Sequence, residues 1–157
     1  MIIRQATLDD ARLLAALSTH VQQVHVEARP ITFKPAEVTD ELIQFYTDLL
    51  PQPDHYIFIV EGDGMAIGYV FVKWVNRPAN PFINADHFLH VDQISVNPEA
   101  RGKGYGKVLM SAVYDLAQQH NIKRITLDVW QFNTSAIEFY LNLGFNPFMQ
   151  RMELFLE

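Results

Sequence analysis

The chain contains no cysteine. Disulfide staples, thiolate metal sites and a cysteine acyl-enzyme are thereby excluded. Long apolar runs are also missing. No stretch approaches the roughly 20 residues of a membrane-spanning helix, so no membrane partner is expected. The opening Met1-Ile2-Ile3-Arg4-Gln5-Ala6-Thr7 lacks the basic-then-apolar order of a signal peptide, which points to a cytoplasmic location. Basic residues are few, with 12 Lys and Arg against 18 Asp and Glu. The resulting net charge of −6 argues against a nucleic-acid partner and suits a cationic small substrate. Histidines are scattered, and no pair has metal-ligand spacing with a carboxylate, so no metal is expected.

What remains is an ordinary globular composition. The 157 residues are 49% hydrophobic and 19% charged, enough for one core and a single domain over 1–157. Ile2 to Gln5 reads as a strand, and Thr7 with Asp10 has the spacing of a capping box. Ala11, Leu14, Leu17, Ser18, Val21 and Val24 recur at helical spacing. Thr39-Asp40 opens a second helix that Pro51 and Pro53 end. Tyr56–Val60 and Ala66–Val75 form a hairpin around Gly62-Asp63-Gly64, with Gly68 marking a bulge. After a loop comes the strand Phe88–Val96, then an amphipathic helix from about Gly104 to His120. Ile125–Val129 is a strand, Asn133 or Thr134 caps the next helix, and Gly144 ends it. Phe148–Leu156 reads as a last strand, whose exposure favours a homodimer. The order is mixed α/β with an antiparallel first half.

Of only seven glycines, three fall within five positions, in Arg101-Gly102-Lys103-Gly104-Tyr105-Gly106-Lys107. This segment joins a strand to a helix N-terminus. Closely spaced glycines let backbone N–H groups approach a ligand, and the helix dipole and three cations add positive potential. The chemistry suits a phosphate or pyrophosphate. A P-loop is excluded because no Ser or Thr follows Lys107. A dinucleotide fingerprint is excluded because Lys107 stands where its third glycine belongs.

Arg101-x-x-Gly104-x-Gly106 resembles the acetyl-coenzyme A motif of the GNAT superfamily of N-acetyltransferases. Asn133-x-x-Ala136-x-x-Phe139-Tyr140-x-x-x-Gly144-Phe145 is similar to a second signature of that family, downstream in the right order. The resemblance implies an α+β fold: a mixed, mostly antiparallel sheet of six to seven strands with a V-shaped splay, flanked by about four helices. It implies acetyl-CoA as cosubstrate, held at its pyrophosphate by Arg101, Gly102, Lys103, Gly104, Tyr105, Gly106 and Lys107. Ile94 and Val96 are then expected to offer backbone hydrogen bonds to the pantetheine arm, with Asn133 and Ala136 also on the cofactor. Tyr140 takes the place of the family's general acid to the leaving thiolate. Asp92 stands where several members carry a glutamate base; His90, two residues earlier, is its rival. Asp92 is expected to share one strand face with His90 and Ile94. In this family the segment after the first helix borders the acceptor, which brings Glu27 and Arg29 into view. The acceptor is expected to be a primary amine of a small molecule or peptide. A non-catalytic acyl-CoA sensor and a nucleotide-binding protein are the rival readings of the same loop.

Overall fold

The computed structural model describes residues 1–156. Five strands form one sheet in the order of the chain: β1 (Ile2–Gln5), β2 (His55–Gly62), β3 (Met65–Arg77), β4 (Asp86–Val96) and β5 (Ile125–Leu127). β1 to β4 pair antiparallel, and β5 joins β4 in parallel. The helices are α1 (Ala11–Ala28), α2 (Asp40–Leu49), α3 (Tyr105–Gln119) and α4 (Thr134–Asn142).

Period-two alternation divides the core between the two faces of the sheet. Ile57, Ile59, Tyr69 and Phe71 pack with Leu14, Ala15 and Leu17 of α1 and Tyr46 of α2. Val60, Val70, Val72, Leu89 and Val91 pack with Leu109, Met110 and Val113 of α3, and Phe139 of α4 and Leu143 just after it close the margin. A buried polar trio ties the first face together. Tyr46 and Tyr69 hydroxyls lie 2.8 Å apart, and each donates to Gln93 Oε1 at 2.7 Å. Burial raises the pKa of both tyrosines, so both stay protonated and can donate. Ser95 Oγ donates to the Leu17 carbonyl at 2.7 Å and fixes α1 on β4.

The helix starts follow their sequence signals. Thr7 N–H donates to Asp10 Oδ2 at 2.8 Å, so Asp10 does the work of the usual glutamate at the mouth of α1. Thr39 Oγ1 accepts the Leu42 N–H at 3.1 Å at the start of α2. Gly68 borders an irregularity in the β2–β3 pairing, and a Cβ there would lie 2.4 Å from the Ser95 carbonyl oxygen of β4. That close approach of the neighbouring backbone requires glycine.

Two expectations are corrected. The sheet has five strands rather than six to seven, because residues 146–156 form no strand. The Phe148–Leu156 pattern is apolar enough for a strand, but the backbone of residues 147–156 makes no hydrogen bond to the rest of the described chain. A strand exists only when paired.

Candidate acetyl-transfer site

The sheet opens between β4 and β5. They pair over only three residues, Leu89↔Ile125, His90↔Thr126 and Val91↔Leu127. From Asp92 to Val96, β4 keeps β3 on one side and has no strand on the other. A bulge lies at the fork. Phe71 pairs with Gln93 and Val72 with Val91, so Asp92 has no partner of its own. Such an extra residue bends a strand and resets which way its side chains face. Gln93 and Ser95 therefore reach α1 and α2, while Ile94 and Val96 join the core under α3. This corrects the expectation that Ile94 shares the face of Asp92 and His90. What Ile94 and Val96 present at the opening is backbone along an unpaired edge.

β4 leads directly into the glycine segment. Asn97 Oδ1 accepts the Glu99 N–H at 3.0 Å and caps a single 3-10 turn, Pro98–Ala100. Gly102 and Gly104 follow with φ of 76° and 89°. A Cβ at either would meet nothing within 4 Å, so the backbone angle and not crowding demands glycine. α3 starts at Tyr105, and its first internal acceptor is the Gly104 carbonyl, which takes the Val108 N–H at 3.1 Å. The N–H groups of Gly104 to Lys107 thus have no backbone acceptor among the described residues, the usual condition of a helix N-terminus. Arg101, Lys103 and Lys107 are exposed beside them, and the ion pairs of the described chain lie elsewhere. Unused donors and unpaired cations are the donor set a polyanionic pyrophosphate needs. The side chain of Tyr105 turns the other way, with its hydroxyl against Gly62.

α4 stands beside this loop. Asn133 Oδ1 caps it by accepting the Ala136 N–H at 3.2 Å, which leaves the amide N–H groups of Asn133 unused. One turn after Ala136, Tyr140 is buried, its ring 5.3 Å from Phe139 and 5.7 Å from Phe145. Its hydroxyl makes no hydrogen bond among the described residues, and burial pushes its pKa up to about 12. Phe139 lies against Gly106, so the two sequence signatures meet in space.

With this geometry in view, relatives decide the family. The profile of the Acetyltransferase (GNAT) family matches residues 19–145. The chain belongs to the GNAT family. An uncharacterized N-acetyltransferase YhfO of Bacillus subtilis is 28% identical over 145 residues, covering 92% of this chain and 89% of that one. A putative [ribosomal protein bS18]-alanine N-acetyltransferase of the same organism is 27% identical over 103 residues, 66% of this chain and 62% of the relative's own length. Among solved structures, a tetramutant of the BH1408 protein from Bacillus halodurans superposes with a TM-score of 0.91 at 29% identity, covering 99% of this chain and 100% of the other.

The GNAT fold of this chain also gathers residues whose roles the sequence left open. Asp92 Oδ1 accepts from Lys73 Nζ at 2.8 Å across the β3–β4 ladder. His90 Nδ1 lies 2.8 Å from Thr126 Oγ1, and its Nε2 is 4.0 Å from Asp128. Trp130 and Phe132, just beyond β5, belong to an aromatic group. His25 stacks on Phe33 at 4.8 Å, Phe33 meets Trp130 edge-on at 5.4 Å, and Trp130 stacks on Phe132 at 5.7 Å. Burial lowers the pKa of His25 and favours its neutral ring. Arg29 sits 5.1 Å over Trp130 and makes a two-pronged pair with Glu153 at 2.5 and 3.0 Å. Sequence reasoning missed Lys73, Thr126 and Phe33. They join the site through strand register and loop packing, and no local motif marks them. Among the described residues, no cluster of three His, Asp or Glu could hold a metal, and no helix is long and apolar enough to cross a membrane.

Proposed function

We propose that the protein is an acetyl-CoA-dependent N-acetyltransferase that moves the acetyl group directly to a primary amine of a small molecule or peptide. The observation that carries the reading is the fork after Val91↔Leu127, where an unpaired β4 edge leads into unused helix N–H donors. Arg101, Gly102, Lys103, Gly104, Tyr105, Gly106 and Lys107 would receive the pyrophosphate, and Ile94 and Val96 the amide-rich arm through their backbone. Asn133 would donate to that arm while capping α4, and Ala136, whose N–H the cap holds, would lie beside it.

In the reaction the amine nitrogen forms a bond to the thioester carbonyl carbon, the carbon–sulfur bond breaks, and sulfur leaves with the electron pair. Tyr140 would face the leaving sulfur. A phenol near 12 against a thiol near 8.5 makes full proton transfer uphill by about 5 kcal/mol. Tyr140 therefore acts as a hydrogen-bond donor whose bond strengthens as charge grows on sulfur. Asp92 would take the proton that the attacking ammonium must lose, through a bridging water, because its short side chain already spends one oxygen on Lys73.

The bS18 alanine named for one relative keeps peptide α-amino groups among the acceptors to test. The cysteine-free chain fits a cytoplasmic home, where acetyl-CoA is at hand. The test is a panel of amines, including polyamine, aminoglycoside and peptide acceptors, with free-thiol release as readout. Thiol release dependent on an amine supports the reading. Coenzyme A binding without turnover on any amine would favour a sensor instead.

A further inference from the structure

One ion pair that no motif announced bears on which amine is taken. Lys73 Nζ donates to Asp92 Oδ1 at 2.8 Å, at the bulge where the sheet forks. The ammonium also lies 5.2 Å over the ring of Phe71, which packs with α1 and α2. The pair therefore stands on that face of the sheet, where β4 begins to run unpaired, with side chains 36% and 27% exposed. Exposed pairs of this kind contribute little to stability, so an exchange of partners costs little. Both members also have capacity to spare. Asp92 Oδ2 makes no hydrogen bond among the described residues, and the Lys73 ammonium spends one of its three donors on Asp92.

A carboxylate already neutralised by Lys73 is a poor receiver for an acceptor that is only a cation. The incoming ammonium would meet the Lys73 ammonium at close range. An α-amino acid has no such conflict, because it brings a carboxylate of its own. Its nitrogen and its carboxylate carbon are about 2.5 Å apart by standard bond geometry. That spacing is close to the 2.8 Å that separates the two charges of the pair.

We propose, on the acetyl-transfer reading above, that the acceptor is a free α-amino acid, whose carboxylate binds Lys73 while its amine faces Asp92. Four charges then alternate in sign around one array. The water between the amine and Asp92 lengthens one side of it, and the flexible four-carbon stem of Lys73 follows. Neighbouring groups do not replace Lys73. Arg29 spends both prongs on Glu153, His90 Nδ1 is engaged with Thr126, and Asp128 is 87% exposed and has the wrong sign. The net charge of −6 draws cations toward the whole molecule, but the local sign at the pair decides which amine settles. A monoamine or a peptide N-terminus has no α-carboxylate and gains nothing from Lys73. Selectivity then combines an attraction for one acceptor class with a repulsion against another.

The test measures kcat/KM for each common α-amino acid and for the amine left when its carboxyl group is removed. Free-thiol release is the readout, in the wild type, Lys73→Met and Lys73→Arg. Comparing the same two compounds across the three enzymes cancels their different amine pKa values. The wild type should prefer the amino acid. Lys73→Met should lower the ratio of amino acid to amine by about 10- to 100-fold, the worth of one charge-assisted hydrogen bond. The loss should fall chiefly on KM, and kcat/KM for the bare amine should rise. Lys73→Arg keeps a cation that binds carboxylates and should retain most of the preference. The wild-type preference and the Lys73→Arg ratio keep the test decisive if Lys73→Met does not fold. A wild type that favours simple amines or peptide N-termini, or a ratio unmoved in folded Lys73→Met, would overturn the proposal and leave acetyl transfer standing. No thiol release with any amine would overturn acetyl transfer and the proposal together.

Discussion

The ring of Phe139 covers Gly106: a Cβ on Gly106 would lie 3.1 Å from Phe139 Cζ and 3.3 Å from Cε2. This glycine, with a φ outside the left-handed region, is present because α3 and α4 touch through it. Gly106→Ala should therefore cost about 1–2 kcal/mol of stability by overpacking. Pairing it with Phe139→Leu should return part of the loss. Urea midpoints of the two variants, compared with Phe139→Leu alone, measure that coupling. Simple additivity would separate the two residues.

Gly104 has the opposite rationale. Its φ of 89° is one that a β-branched residue scarcely adopts, and nothing crowds it. Gly104→Val should disturb the loop while the core stays intact, and acetyl-CoA affinity measured by calorimetry should fall at least about tenfold. A folded variant with unchanged affinity would move the coenzyme elsewhere.

Tyr140 offers a test in which packing and chemistry separate. Its hydroxyl has no hydrogen-bond partner among the described residues. Tyr140→Phe should leave the melting temperature nearly unchanged while kcat falls about 100-fold or more. Coenzyme affinity should change little. A variant with the parental kcat would reduce Tyr140 to a packing residue.

Asp92→Asn keeps the shape at the bulge and removes the charge that faces Lys73. If Asp92 takes the amine's proton, kcat/KM for an alkylamine should drop by about 10- to 1000-fold at pH 7. The loss should shrink toward about pH 10, where the free amine dominates. An acceptor of lower pKa should suffer less. An identical pH–rate profile for wild type and variant would pass the role to His90 or to solvent.

Acid stability should report on Asp10. Hydrogen bonds from Arg4, helped by the Thr7 N–H, hold its carboxyl at about 2. A carboxyl with a lowered folded pKa adds stability above its unfolded value near 3.9, and that contribution fades as pH falls toward about 2. The contribution is about 2 kcal/mol. Urea midpoints taken from pH 5 down to 2 should decline, and Asp10→Asn should flatten the decline.

Much of the framework was legible along the chain because its causes are local. Thr7 with Asp10, Thr39 and Asn133 cap helices within three residues of themselves, and the positive φ at Gly102, Gly104 and Gly144 is a property of single residues. The glycine loop and the Asn133–Phe145 signature were likewise readable as motifs, and their order alone implied a shared site. Three features required the folded chain. The bulge that isolates Asp92 arises from the register of β3 against β4, and it shifts the alternation so that Ile94, three residues after Val91, lies on the same face as Val91. The Lys73–Asp92 pair joins residues 19 positions apart that only this register brings together. The segment 148–156 carries a strand's pattern, yet it forms no strand, because backbone pairing depends on a neighbour and not on the sequence that seeks one.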